Sequence, residues 1–332
     1  MPILSTHNLK AGYRHGNKTT TVLSGVNVTL KQGQLTALIG ANGTGKSTLL
    51  RTLAAVQRPL EGKIEIEDAP AERMSHLEMS RTLAMVFTDR TPAGGLTVGE
   101  LVALGRQPHT GFLGRLGADD RQAVARAIEA VGIGHKTHCH LSQLSDGERQ
   151  KAMIARALAQ STPIIALDEP TAFLDAASRM GILLLLAKLA RNEGKAILLS
   201  THDVALTLQL ADELWIATPQ GRITAGCTED LVLGGALDGI FATSGARFNA
   251  LKGDFEVTLP TTIEVALECL EPELRHWTAN ALRRNGIAVA ATATTAITAH
   301  SPHDFAIDGQ SGIASIAQLC QRLASLQPRT QQ

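Results

Sequence analysis

The sequence has no surplus of either charge: 31 lysines and arginines face 31 aspartates and glutamates. Without a basic excess a general nucleic-acid binder is disfavoured, because affinity for a phosphate backbone comes from clustered cations. Long hydrophobic runs are also missing. The longest, "GILLLLAKLA", falls far short of the ~20 apolar residues a membrane-spanning helix needs. The opening "MPILSTHNLK" has no charged segment followed by an apolar one, so it does not read as a signal peptide. These absences predict a soluble, cytosolic protein whose membrane contact goes through a partner. Cysteine is scarce and scattered. Cys139, Cys227, Cys269 and Cys320 form no C-x-x-C and suggest reduced thiols. "HKTHCH" gathers His135, His138, Cys139 and His140, but no second ligand pair follows at zinc-site spacing. A solvated turn is therefore the preferred reading over a metal site.

What is present is an ordinary globular balance, 44% apolar and 19% charged, in 332 residues, enough for two domains. The first 35 residues alternate like β-structure, in "ILSTHNLKAGY" and "TTTVLSGVNVTL". "LTALIG" is a short apolar run of the kind that forms a buried strand. "GKSTLLRTLAAV" switches to helical spacing, placing Leu49, Leu53 and Val56 on one face. From about 75 to 150, "SHLEMSRTL" and "ADDRQAVARAIEAVGI" read as helices around a Gly/Pro-rich loop. "PIIALDEP", the helix "AASRMGILLLLAKLARNEG" and the strand "KAILLSTHD" then restore a parallel β-α-β pattern, with the right-handed crossover such units take. Beyond about residue 255, "DFEVTL", "IAVAATATTAITA" (one strand or two) and "HDFAID" read as strands, with helices at "EPELRHWTANALRRNG" and "GIASIAQLCQRLASL". Trp277 on the first of these helices is expected in the core.

The stretch "GANGTGKST" carries the first chemistry. It fits G-x-x-x-x-G-K-[ST] between a strand and a helix. Gly40, Gly43 and Gly45 free the backbone to aim successive N–H groups at phosphate oxygens, and the helix that begins near Gly45 adds its positive end. Lys46 supplies a cation for the phosphates and Ser47 a hydroxyl ligand for Mg²⁺. Asn42, Thr44 and Thr48 complete the nucleotide-binding loop. "IIALDEP" supplies the matching carboxylates. Asp168 sits at the C-terminal end of an apolar strand, where ligands collect in open α/β sheets, and is assigned to Mg²⁺ through water. Glu169 follows it, placed to polarise a water for attack on the γ-phosphate.

"LSDGERQ", Leu144 to Gln150, resembles the signature motif of ATP-binding cassette (ABC) ATPases. Further parts follow in that family's order: Tyr13 in "AGYRHG" resembles the aromatic that stacks on adenine, Asp175 in "TAFLD" the D-loop, and His202 in "LLSTHD" the switch histidine. The resemblance covers residues 3 to about 250. It implies an α/β fold, a P-loop NTPase cassette with a helical insertion, followed by a small C-terminal α+β domain. The implied domains are 1–254, with a helical subdomain at about 75–150, and 255–332. It further implies ATP and Mg²⁺ as cofactors and a head-to-tail homodimer. Ser145 and the Gly147 backbone of one copy then face the γ-phosphate held by the other, and His202 senses that phosphate.

Two departures from the family stand out. Thr88 occupies the place where a glutamine commonly reaches the metal, followed by Asp89. Asp146 and Glu148 replace the usual Gly and Gln, and are expected to point away from the nucleotide. The segment "LVALGRQPHTGFLGRLG" resembles "LGRxPHTG" in importer ATPases for iron–siderophore complexes, haem and vitamin B12. That branch implies that Arg106, Pro108 and His109 lie near a docking surface for a membrane permease, with Phe112 and Leu113 at its apolar tip. The partners would be permease subunits and, indirectly, a substrate-binding protein, at the cytoplasmic face of the inner membrane. An exporter ATPase and a non-transport regulatory ATPase are the rival readings. The C-terminal domain carries no assignable motif, and a regulatory or dimer-supporting role is expected from its place after a complete cassette.

Overall fold

The computed structural model describes residues 1–16, 18–87, 95–111, 114–238, 240, 246–257 and 259–325. The chain divides into two compact units, Met1–Phe255 and Glu256–Gln332.

The first unit begins with strands β1 (Pro2–His15), β2 (Lys18–Val26) and β3 (Thr29–Lys31), then β4 (Leu35–Ile39), helix α1 (Lys46–Leu53), β5 (Glu61–Ile66) and β6 (Ala69–Pro70). All these strands except β4 join one antiparallel sheet built around β1. Next come α2 (His76–Thr82), β7 (Leu83–Val86), α3 (Val98–Ala103), α4 (Ala118–Ala130) and α5 (Asp146–Ala159). The unit continues through β8 (Ile164–Leu167), α6 (Ala176–Glu193), β9 (Ala196–Ser200), α7 (Val204–Leu210), β10 (Glu213–Ala217), β11 (Ile223–Cys227), α8 (Thr228–Leu233) and β12 (Ala246–Asn249). A second sheet has the order β11-β10-β4-β9-β8-β7. Its strands are parallel except β11.

The apolar runs of β4, β8, β9 and β10 follow from burial on both faces. Successive side chains alternate between two cores. Ala37, Ile39, Ile165, Leu167, Ile197, Leu199 and Ile216 pack with α5 and α6. Leu38, Ala166, Leu198 and Trp215 pack instead with α1 and the antiparallel sheet. Helix α1 is shorter than its sequence period suggests. It ends at Leu53, Ala55 turns left-handed at φ 55°, and Val56 stands 61% exposed rather than on the buried face.

Three helix starts in the insertion are written in S/T-x-x-E spacing, while α4 begins at Gly117. Ser75–Glu78, Thr97–Glu100 and Ser145–Glu148 each form a reciprocal capping box at the head of α2, α3 and α5. The "LGRQPH" segment is a 3₁₀ turn, Leu104–His109. Its Arg106 is 8% exposed and bonded to Asp120 (2.9 Å), the Ala159 carbonyl (2.7 Å) and the Ser161 hydroxyl (2.9 Å). Arg106 therefore braces the helices against one another, with its guanidinium buried between them. His109 likewise contacts the Gln160 carbonyl at 2.8 Å. Phe112 and Leu113 lie outside the described residues.

β13 (Asp254–Val257) pairs with β12, so "DFEV" forms a two-stranded sheet and takes no part in the sheet that follows. The second unit holds β14 (Ile263–Glu268), α9 (Pro272–Arg284), β15 (Ile287–Val289), β16 (Thr295–Ser301), β17 (Asp304–Ile307), β18 (Gln310–Ile313) and α10 (Ile316–Ser325). Its sheet order is β15-β14-β16-β17-β18. Val265, Leu267, Ile297, Phe305, Leu282, Leu319 and Leu323 form its core. "IAVAATATTAITA" resolves into two strands, and the final helix starts at Ile316 because Gly312 and Ile313 belong to β18. Trp277 is 62% exposed, not core. Leu274, Thr278, Ala281 and Leu282 make the buried stripe of α9, and Trp277 falls on its flank against His276.

Candidate functional site

At the C-terminal end of β4 the backbone enters the glycine loop. Gly40, Gly43 and Gly45 adopt φ 153°, 80° and 93°. Two of them also need the space. A Cβ on Gly40 would stand 2.5 Å from the Ala217 carbonyl, and one on Gly45 2.5 Å from Val22 Cγ1. Gly43 faces open space, so its requirement is the dihedral alone. Thr44 donates its hydroxyl to the Ala41 carbonyl at 2.8 Å and tightens the turn. Asn42 and Gly43 are exposed at its rim. Lys46 opens α1 and curls back over the loop, donating to the carbonyls of Gly40 (2.9 Å) and Ala41 (3.2 Å). Burial pushes its ammonium below the usual lysine range, while Glu169 and Asp168 pull the other way.

The ends of two parallel strands, β8 and β9, bring the carboxylates and the histidine to this loop, and β1 brings Tyr13. Asp168 follows β8 and is 6% exposed. Its Oδ1 accepts from the Ser47 hydroxyl at 3.0 Å and from the Ser200 hydroxyl at 2.7 Å. Glu169, next in sequence, is left-handed at φ 47° and its N–H donates to Ser200 Oγ at 2.9 Å. Its side chain meets His202 Nε2 through Oε1 at 2.5 Å. Tyr13 is 40% exposed, and its phenol hydrogen-bonds the Thr48 hydroxyl on α1 at 2.8 Å. Loop, lysine, hydroxyl, paired carboxylates and histidine thus converge in one chain. Thr88 and Asp89 lie outside the described residues. Ser200 was not singled out in the sequence; its only sign there is a hydroxyl at the end of the apolar run "AILLS".

The signature residues lie apart from this cluster. Ser145 caps α5, and Glu148 is drawn back onto it. Glu148 Oε2 accepts from the Ser145 N–H (2.9 Å) and hydroxyl (3.1 Å). Glu148 is thus recruited by the helix end as the far half of its capping box. Lys136 stands 3.4 Å from its other oxygen. The Ser145 backbone bond chiefly holds the Glu148 carboxyl below its usual range. Gly147 packs beside α6, where a Cβ would come 3.0 Å from Ser178 Oγ. Asp175 caps α6 and accepts from the Ser178 N–H (2.9 Å) and hydroxyl (2.8 Å).

Comparison with known proteins gives this geometry its family. A model described as ABC transporter matches residues 23–172. An uncharacterized ABC transporter ATP-binding protein of Methanocaldococcus jannaschii is 35% identical over 77% of this chain and 87% of its own length. This chain belongs to the ABC transporter ATPases. A second model, described as the iron ABC transporter C-terminal domain, matches residues 262–324. The ferric enterobactin transport ATP-binding protein FepC of Escherichia coli is 37% identical over 67% of this chain and 82% of its own. Among solved structures, a transporter described as of metal-chelate type, in an inward-facing conformation, aligns at TM-score 0.63 and 28% identity, covering 73% of this chain and 89% of that one. A dimeric cassette in a post-hydrolysis state with ADP and Pi aligns at TM-score 0.59 and 26% identity, covering 68% and 99%. The cassette is thus an ATPase of P-loop fold. No helix among its described residues is long and apolar enough to cross a membrane.

Proposed function

We propose that this chain is the ATP-hydrolysing subunit of an importer that takes up an iron chelate, haem or cobalamin through a membrane permease. The observation that carries the reading is the cassette followed by an iron-transporter C-terminal domain, alongside the likeness to a ferric enterobactin ATPase. Residues 1–254 would form the motor and 255–332 an accessory domain. The subunit would sit peripherally at the cytoplasmic face of the inner membrane, bound to permease subunits that a substrate-binding protein supplies.

In this reading the amides of the 40–45 loop and the Lys46 ammonium bind the phosphates of ATP. Lys46 suits this role because the hydrogen bonds it makes among the described residues go to carbonyls, which phosphate oxygens outbid for a charged donor. Ser47 and Asp168 would hold Mg²⁺. Two hard oxygen donors 3.0 Å apart at the mouth of the loop fit that ion. When bound, the ion would neutralise charge on the phosphates. Glu169 would take the proton of the attacking water, and His202 would orient the Glu169 carboxylate. Tyr13, held by Thr48 beside the loop, would stack on the base. Ser145, Gly147 and Asp175 would serve the nucleotide bound by a second copy.

Uptake assays in a deletion strain, with ferric siderophore, haem and cobalamin offered separately, test the proposal. One cargo should fail to enter and recover on complementation. Wild-type uptake of all three would overturn it, as would co-purification with soluble partners and no integral membrane permease.

A further inference from the structure

We propose that Ser200 is a positioning residue that sets both carboxylates of the ATPase site, an inference that rests on the roles given to Asp168 and Glu169 above. Ser200 is the last residue of β9 and is fully buried. A serine hydroxyl has one proton to give and lone pairs to receive. The Glu169 N–H can only donate, so it takes a lone pair of Ser200 Oγ at 2.9 Å. The Ser200 proton goes to Asp168 Oδ1 at 2.7 Å. The result is a directed chain from the Glu169 backbone through Ser200 to the Asp168 carboxylate.

Its position in the sheet explains why a hydroxyl is needed there. The parallel ladder between β8 and β9 runs Ile164↔Ala196 to Leu167↔Leu199 and then stops. Beyond it Glu169 turns left-handed, which is costly for a residue with a Cβ. Ser200 Oγ supplies the acceptor that the ladder no longer provides. One hydroxyl therefore holds the strained peptide that carries Glu169 and fixes the oxygen of Asp168 that Ser47 also contacts.

Ser200→Ala removes a single buried oxygen and tests this directly. The turnover number should fall about tenfold, the loss expected for a hydrogen bond to a charged group. KM for ATP should stay within about twofold, and the Mg²⁺ concentration for half-maximal rate should rise severalfold. Nucleotide affinity in EDTA and the melting temperature should stay near wild type. Ser200→Thr, which keeps the hydroxyl, should restore most of the rate; Ser200→Cys, close in size but a weak donor, should fall between. Wild-type turnover and Mg²⁺ dependence in Ser200→Ala would overturn the inference. A parallel loss of stability, EDTA-state binding and rate, unrelieved by either conservative variant, would also overturn it by showing a structural role alone. Glu169→Gln is the control. If it hydrolyses ATP normally, the reading of the site itself fails. If it stalls while Ser200→Ala is normal, only the role of Ser200 fails.

Discussion

At the glycine loop, Lys46, Asp168 and Ser200 are each at most 6% exposed and bonded to one another's neighbourhood within a single chain. At the signature loop and the D-loop, Ser145 and Asp175 stand exposed, and their polar atoms are taken up by the helix ends they cap. The first region holds its polar groups on one another in the protein interior. The second is kept satisfied by local contacts that cost little to exchange, since an exposed cap is worth about 1 kcal/mol. A surface proposed to engage and release a second copy in each cycle would benefit from such contacts. A surface that is to bind a polyanion benefits from burial and fixed dipoles.

The largest expected effect breaks the first region chemically. Glu169→Gln keeps the size and the His202 contact but loses the proposed base. ATP hydrolysis, followed by phosphate release, should drop at least about a hundredfold while nucleotide binding persists. A dimer trapped by Mg-ATP should then be visible by size-exclusion chromatography. Next, Lys46→Ala should weaken nucleotide affinity about tenfold or more, measured by calorimetry, because a charge-assisted contact is lost. Its helix should remain, since the bonds Lys46 makes among the described residues go to its own loop.

The glycines sharpen the contrast through stability. Gly40→Ala meets the Ala217 backbone at 2.5 Å with φ 153°, and should cost about 2–4 kcal/mol in denaturant unfolding. Gly147→Ala meets only the Ser178 side chain, Oγ at 3.0 Å and Cβ at 3.3 Å, and at most displaces that hydroxyl from Asp175, so it should cost about 1 kcal/mol. Equal costs would mean that the two regions are equally rigid.

Much of the first region was legible in the sequence because its physics is local. The loop needs glycine where φ is positive, and β4, β8 and β9 are buried on both faces and so read as unbroken apolar runs. The capping boxes are likewise written three residues apart. What the sequence hid depends on contacts between distant segments. Ser200 matters only because β8 lies beside β9. Arg106 looks like a surface cation until Asp120, Ala159 and Ser161 are brought round it. In the second unit, β14 is a central strand that was not read at all. "IEVALE" alternates correctly, but only Val265 and Leu267 are buried, and half its residues are Glu or Ala.

The smallest expected effect concerns Glu148. Its carboxyl is held below the ordinary value of 4.5, first by the Ser145 backbone bond and with help from Lys136. Stability from this contact is therefore present above that ordinary value and lost as the pH falls through the lowered one. Glu148→Gln can still close the capping box, so the melting temperature at neutral pH should move by under about 2 °C. The acid-side loss should shrink, because the variant has nothing to protonate. The removed charge lies beside the hydroxyl proposed to meet a second copy's phosphate, so KM for ATP should fall slightly. Lys136 gives the decisive comparison. Lys136→Ala should raise KM in the native background, where it uncovers the carboxylate, and leave it unchanged beside Glu148→Gln. If Lys136→Ala acts equally in both backgrounds, the pair at 3.4 Å does not govern the charge of this loop.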